Sequence, residues 1–363
     1  TIGSGVKEIS GNAFDYCRSL LSITIPAGVQ TIGANAFLDC RRLREVYNLS
    51  SVTIASPDDV DSSVTVHTDA SEESVIHNTD DGFSFITKTS GTSLIDYWGD
   101  GESVVLPDDY AGEGYRVADY ALAYNARLKS VKFSAGVKNI GYKILYKSDN
   151  VTSLTVDSGN VDYCSAGNCV IKTAAKLFVL GCQASVIPDD GSVTAIGSNV
   201  FCDNATIVNA AFKIPDSVTS VASNAFYGCN GIMRTVGLVK YVDKWAIGLV
   251  YRSGEEKLDL QFEQGTVGIA ASFRYTSNTS NRLQSVTFND ELRYVNGSAF
   301  KECENLTTVN FNDGLVSIGA YAFEDCKKLQ ELVIPNTVSE IGWWAFGGCS
   351  ALTYAKLPDG LNV

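Results

Sequence analysis

Leu283, Leu306, Leu329 and Leu352 stand 23 residues apart, and a chain written to such a period stacks copies of one small unit instead of folding around one centre. With Leu329 as position zero, Leu332 falls at +3, Ile334 at +5, Pro335 at +6, Val338 at +9, Ile341 at +12, Gly342 at +13, Ala345 and Phe346 at +16 and +17, and Cys349 at +20. The coil from Leu306 repeats the frame with Val309, Phe311, Leu315, Ile318, Gly319, Ala322, Phe323 and Cys326. The coil from Leu283 supplies Val286, Phe288, Leu292, Val295, Ala299, Phe300 and Cys303. Near the start, Leu20, Ile23, Ile25, Pro26, Val29, Ile32, Gly33, Ala36, Phe37 and Cys40 keep the same register, after a partial coil with Ile9, Ala13, Phe14 and Cys17. Leu128, Val131, Phe133, Val137, Ile140 and Gly141 mark a middle coil with Leu145 and Ser148 in the Phe and Cys slots, and Val218, Val221, Ala225, Phe226 and Cys229 another.

The spacing predicts local structure. Apolar residues at +3 and +5 lie on one face of a strand, and Pro at +6 ends it by removing a backbone donor. From +12 to the next leucine the apolar steps are three and four residues, which predicts a helical turn with one stripe inward. Gly at +13 suggests a turn with positive φ, although Ser10, Ala222 and Asn296 occupy that slot in other coils, so positive φ is not obligatory. One coil cannot bury both its strand face and its Phe, whereas stacked coils bury them against each other. The expected fold class is therefore an α/β repeat solenoid: a leucine-rich repeat right-handed superhelix of stacked parallel short strands with β-hairpin insertions.

A 363-residue chain would ordinarily suggest two or three globular domains, but the repeat overrides that prior. Regular coils cover 1–49, 117–156, 183–232 and 265–363. Irregular or hairpin-bearing coils cover 50–116, 157–182 and 233–264. The whole of 1–363 reads as one solenoid. Hairpins are expected at Phe83–Thr87 with Ser93–Tyr97, at the apolar runs around Thr173–Lys176, and at Trp245–Tyr251 with Lys257–Phe262. Residues 50–81, rich in Ser, Thr and Asp, read as an irregular coil with short strands at Ser63–His67 and Ser74–His77.

The Ile-Gly-x-x-Ala-Phe-x-x-Cys-x-x-Leu signature, seen at Ile32–Leu43 and Ile341–Leu352, resembles the BspA-like leucine-rich repeat family. The irregular blocks around Asn168–Val193 and Val242–Ala270 are similar to its gut clostridial members. The resemblance implies a surface-exposed or secreted bacterial protein, often part of a longer chain, some of whose relatives bind host extracellular proteins. It carries no catalytic residues.

Composition narrows the partners. The net charge of −13 opposes a phosphate backbone, so nucleic acid is a poor partner, as is an anionic membrane surface. No run of about 18 apolar residues exists to insert in a membrane. The chain shows no signal peptide at its start and opens at Thr1, which suits a mature or trimmed segment. The expected location is extracellular or the cell surface.

Ten cysteines are present. Cys17, Cys40, Cys229, Cys303, Cys326 and Cys349 share one repeat slot and read as an inward ladder of small apolar thiols. A disulfide among Cys164, Cys169, Cys182 and Cys202 stays open. No C-x-x-C or H-E-x-x-H exists, so neither metal nor cofactor is expected, and His67 and His77 read as surface residues. The Asn-x-Ser/Thr triplets, Asn48 and Asn278 among them, read as chance.

Strand positions +2 and +4 point outward and tile a ribbon that includes Ser22, Thr24, Glu45, Tyr47, Ser130, Lys132, Thr287, Asn310, Glu331, Val333, Tyr354 and Lys356. Within it Tyr47, Lys132, Thr287, Asn310, Val333, Tyr354 and Lys356 are the candidate partner-binding residues, with Trp98 and Trp245 on the insertions as further contacts. Three functions compete: adhesion to or recognition of a protein, host extracellular matrix included; a passive spacer within a larger cell-wall protein; and a protein that binds or acts on cell-surface glycans. No pair of carboxylates or nucleophile stands out for catalysis, so an enzyme is not expected.

Overall fold

The computed structural model describes residues 2–17, 19–40, 42–54, 64–68, 76–88, 90–201, 203–204, 206–207, 212–250, 257–273, 282–359 and 361. They form two compact units, residues 1–128 with 134–148 and residues 129–133 with 149–363. Cys202, Asn278 and the expected turn at Arg252–Glu256 lie outside the described residues.

In the larger unit the coils between residues 258 and 341 each carry two strands. The first sits at +2 to +4: Leu258–Gln261, Leu283–Thr287 and Thr308–Asn310 form one parallel ladder, and Glu331–Val333 pairs with Tyr354–Lys356 in another. The second, only two residues long, sits at +11 and +12: Gly268–Ile269, Tyr294–Val295, Ser317–Ile318 and Glu340–Ile341 stack in register. Val295 and Ile318 point inward from this second ladder and are buried.

The helical turn expected after +12 is absent: the described residues contain no α-helix, so the fold is a β-solenoid and not α/β. The backbone hydrogen bonds explain why. Positions +16, +18 and +20 donate three residues back, as Ala322 does to Gly319 at 3.2 Å, Glu324 to Tyr321 at 3.2 Å and Cys326 to Phe323 at 3.3 Å. Positions +15, +17 and +19 donate instead to the next coil: Tyr321 to Trp343 at 3.0 Å, Phe323 to Ala345 at 2.7 Å and Asp325 to Gly347 at 2.8 Å. The coil from Leu283 repeats this through Ser298, Phe300 and Glu302. The alternation needs left-handed residues, and Ser298, Glu302, Tyr321, Asp325 and Trp344 all have φ between 56° and 58°. A helix would spend every donor within the coil; this arc spends half of them on its neighbour.

Gly at +13 also differs from expectation. Gly33, Gly319 and Gly342 lie outside the left-handed region, and their role is close approach. A Cβ on Gly342 would lie 2.2 Å from the Ala320 nitrogen, and one on Gly319 would lie 2.6 Å from that of Gly297. Asn296 fills the same slot and uses its amide: Oδ1 accepts from the Val221 N–H at 2.7 Å and Nδ2 donates to the Thr219 carbonyl at 3.2 Å.

Inside the arcs the phenylalanines form a column. Ring centroids of Phe300 and Phe323 are 5.2 Å apart at 15°, and those of Phe323 and Phe346 are 5.3 Å apart at 4°. Phe262, Phe288 and Phe311 form a parallel row beside it. Burying each ring contributes about 1.5–3 kcal/mol of transfer free energy. Five of the six ladder cysteines point inward, Cys40, Cys229, Cys303, Cys326 and Cys349, while Cys17 is a correction, being exposed. The ladder also does more than fill space: the Cys326 thiol donates to the Phe300 carbonyl at 3.4 Å and that of Cys349 to the Phe323 carbonyl at 3.2 Å.

The smaller unit follows the same plan. Ser22–Ile25, Glu45–Asn48 and Thr65–His67 form a parallel ladder, Glu8–Ile9 pairs with Thr31–Ile32, and Tyr115–Val117 pairs with Val137–Ile140. The Cys40 thiol donates to Phe14 O at 2.9 Å. In the coil that has Ser148 in the cysteine slot, the hydroxyl makes the equivalent bond, to Leu122 O at 2.7 Å.

The insertions share one design, a three-stranded antiparallel meander whose last strand joins the short-strand ladder. In the smaller unit Ile76–Asn78, Phe83–Lys88 and Gly91–Tyr97 lead to Tyr115–Val117. In the larger, Tyr163–Ala166, Cys169–Lys172 and Leu177–Leu180 lead to Ala195–Ile196 and Ser220–Val221. The third meander comprises Arg234–Val236, Val239–Val242 and Trp245–Leu249, leading to Gly268–Ile269. The first two expected hairpins are therefore present, each with an extra leading strand. The third is corrected: Trp245–Leu249 turns back on Val239–Val242 around Asp243, whose φ is 47°, while Leu258–Gln261 is an ordinary coil strand.

Candidate functional site

In the larger unit the first-strand ladder is interrupted. Thr308–Asn310 ends one sheet and Glu331–Val333 begins the next, although the short strands and arcs of the same two coils stay bonded. At the interruption a groove of about 460 Å³ opens, lined by Thr307, Thr308, Asn310, Phe311, Asp313, Glu331, Val333 and Pro335 among others. The outward alternation of the strand places these side chains: Val309 and Leu332 point into the core while their neighbours point out.

Five of the seven sequence-derived candidates meet here. Asn310 and Val333 line the groove. Thr287 lies beside Asn310, whose Nδ2 donates to its hydroxyl at 3.0 Å. Tyr354 and Lys356 sit opposite Glu331 and Val333 in the ladder. Val333 is 57 % exposed and Tyr354 53 %, so the apolar part of the face is open to solvent. Lys132 is also outward but on the separate strand Ser130–Phe133, where its ammonium pairs with Asp157 at 2.8 Å. That ammonium and the Gly159 N–H hold the Asp157 carboxyl below the usual carboxylate range.

Tyr47 is a correction. It is 3 % exposed, its ring stacked on His67 at 4.9 Å. The cause is the first meander, which covers this part of the ladder in the smaller unit: Lys88 Nζ reaches Glu45 at 3.1 Å, Arg42 Nε donates to Asp96 at 2.8 Å, and the Arg44 guanidinium donates to the carbonyls of Ile95 and Tyr120. His67, expected on the surface, is buried here and bonded to Glu45. Burial pushes the Asp96 carboxyl up while Arg42 and Arg44 pull it down, and the net direction is up. This covered face is a buried, hydrogen-bonded polar layer.

The insertion tryptophans divide. Trp98 is 46 % exposed beside Arg42 and Asp96. Trp245 is buried, its ring parallel to that of Tyr294 at 6.1 Å and packed on Gly268. None of the nine described cysteines is in a disulfide. Cys169 and Cys182 both lie against the Ser185 hydroxyl, and burial pushes the Cys169 thiol up to about 12. Among the described residues no cluster of His, Cys, Asp and Glu could hold a metal ion, and no helix is long and apolar enough to cross a membrane.

Stacked parallel strands with an apolar column behind them and an open polar face define a leucine-rich repeat solenoid. The BspA type leucine rich repeat region matches in 6 copies, over residues 1–59, 102–169, 175–244 and 272–363. The chain belongs to this family. No curated protein matches it. Solved structures with similarity include a leucine rich cell surface protein from Faecalibacterium prausnitzii, 20 % identical, covering 80 % of this chain and 91 % of that one with a TM-score of 0.33. A leucine-rich repeat protein from Eubacterium ventriosum is 19 % identical, covering 99 % of this chain and 84 % of its own, at a TM-score of 0.35. The pneumococcal vaccine antigen PcpA is 14 % identical, covering 79 % and 86 %, at 0.33.

Proposed function

We propose that this protein is an adhesion or recognition module of the bacterial surface that binds another protein, host extracellular matrix included, through the strand face of its larger unit. The observation that carries this reading is the groove between Thr308–Asn310 and Glu331–Val333, with Tyr354 exposed beside it. An open polar face with a few apolar and aromatic anchors is the composition that protein contacts use. The reading is one of binding. The membership of the family supports a repeat region displayed for recognition.

The test is surface plasmon resonance of the purified protein against immobilised extracellular matrix proteins. Binding should fall about tenfold or more in the double variant Asn310→Lys, Val333→Asp, with an unchanged thermal melt because both side chains point outward. Binding that persists in the double variant would remove the groove from the reading. Absence of binding to every matrix protein would favour a spacer.

A further inference from the structure

The arcs of the larger unit carry a second surface feature, separate in residues from the strand face. Trp343 and Trp344, at +14 and +15, are 67 % and 52 % exposed. Their ring centroids are 5.4 Å apart at 58°, and Tyr321, at +15 of the preceding coil, meets Trp343 edge-on at 5.1 Å. The cluster is held in place from below. Gly347 stands at +18, where Lys301 and Glu324 occupy the equivalent slots, and a Cβ on it would lie 1.7 Å from Cδ1 and Nε1 of Trp344. The missing side chain lets the indole lie across the backbone. The Trp343 carbonyl is fixed by the Tyr321 N–H at 3.0 Å, and the Lys301 ammonium sits over the Tyr321 ring at 5.3 Å while pairing with Glu324 at 2.5 Å.

We propose that Trp343, Trp344 and Tyr321 form a platform that binds a neutral pyranose glycan. Aromatic faces presented to solvent offer large, rigid apolar area with a polar edge, which suits the flat C–H face of a sugar ring. The flanking positions on the same arcs, Lys301, Glu302, Glu324 and Asp325, supply donors and acceptors for hydroxyl groups. The net charge of −13 disfavours sulfated or carboxylated glycans. The site shares no residue with the groove, so either can fail alone.

The experiment titrates the whole chain with cellohexaose, laminarihexaose and xylohexaose, and with polygalacturonate as the acidic comparator, read by tryptophan fluorescence and calorimetry. At least one neutral oligosaccharide should bind at millimolar concentration or tighter. Trp343→Ala should weaken it about tenfold and Val333→Asp should leave it unchanged. Gly347→Ala should weaken it as well by lifting the Trp344 ring, with every aromatic retained. Equal binding by Trp343→Ala would overturn the proposal. So would absence of binding to every neutral glycan, preference for polygalacturonate, or loss of matrix-protein binding in Trp343→Ala without any glycan binding.

Discussion

Phe323→Ala removes the centre of the phenylalanine column. The ring is fully buried, with Phe300 stacked at 5.2 Å on one side, Phe346 at 5.3 Å on the other and Phe311 edge-on at 6.0 Å. Stacked neighbours on both sides restrict collapse of the cavity, so the cost belongs to the range of about 3–5 kcal/mol seen for buried Phe→Ala. Phe346→Ala should cost less, because Phe346 is only partly buried and, among the described residues, stacks on Phe323 alone. Urea unfolding followed by far-ultraviolet circular dichroism measures both. A repeat array transmits the loss to adjoining coils, so the Phe300→Ala, Phe323→Ala pair should be non-additive by about 0.5–3 kcal/mol. A Phe323→Ala cost below about 1 kcal/mol, or equal costs at Phe323 and Phe346, would refute the reasoning that the rings share one interior.

Other expectations follow from single contacts. Gly342→Ala drives a Cβ against the Ala320 nitrogen and should destabilise by about 1–3 kcal/mol, whereas Gly3→Ala meets nothing within 4 Å and should be tolerated; thermal melts compare them. Asn296→Ala leaves the Val221 N–H and Thr219 carbonyl without their side-chain partner and should cost about 1–3 kcal/mol in the same assay. Burial pushes the Cys40 thiol up to about 11 and Cys169 to about 12, so both stay protonated at mildly alkaline pH. Alkylation followed by mass spectrometry should label the exposed Cys17 and Cys164 first, and early labelling of Cys169 would contradict the structure.

Much of the fold was legible because apolar spacing reports which residues must share an interior. Leu306, Leu315, Ile318, Ala322, Phe323 and Cys326 are fully buried as the period required. The helix was misread because steps of three and four fit both a helical stripe and an arc; the two differ in where the donors of Tyr321, Phe323 and Asp325 go, which apolar periodicity does not encode. The left-handed signal was also muted. Ser, Glu, Tyr, Asp and Trp occupy positive-φ positions where Asn or Gly would have flagged a turn, and Asn12, Asn35 and Asn224 were the available hint. For the site, alternation placed Asn310 and Val333 outward correctly. It could not show the break between their strands, nor that the first meander folds over Tyr47. Trp343 and Trp344 lay in plain view but fell in slots assigned to a helix.

The stacked arc is tested most directly by through-hydrogen-bond N–C′ couplings in a solution spectrum of the chain. The amide nitrogens of Tyr321, Phe323 and Asp325 should couple to the carbonyl carbons of Trp343, Ala345 and Gly347 in the next coil. Couplings from those amides to carbonyls four residues earlier in the same coil would mean a helix and would contradict the account.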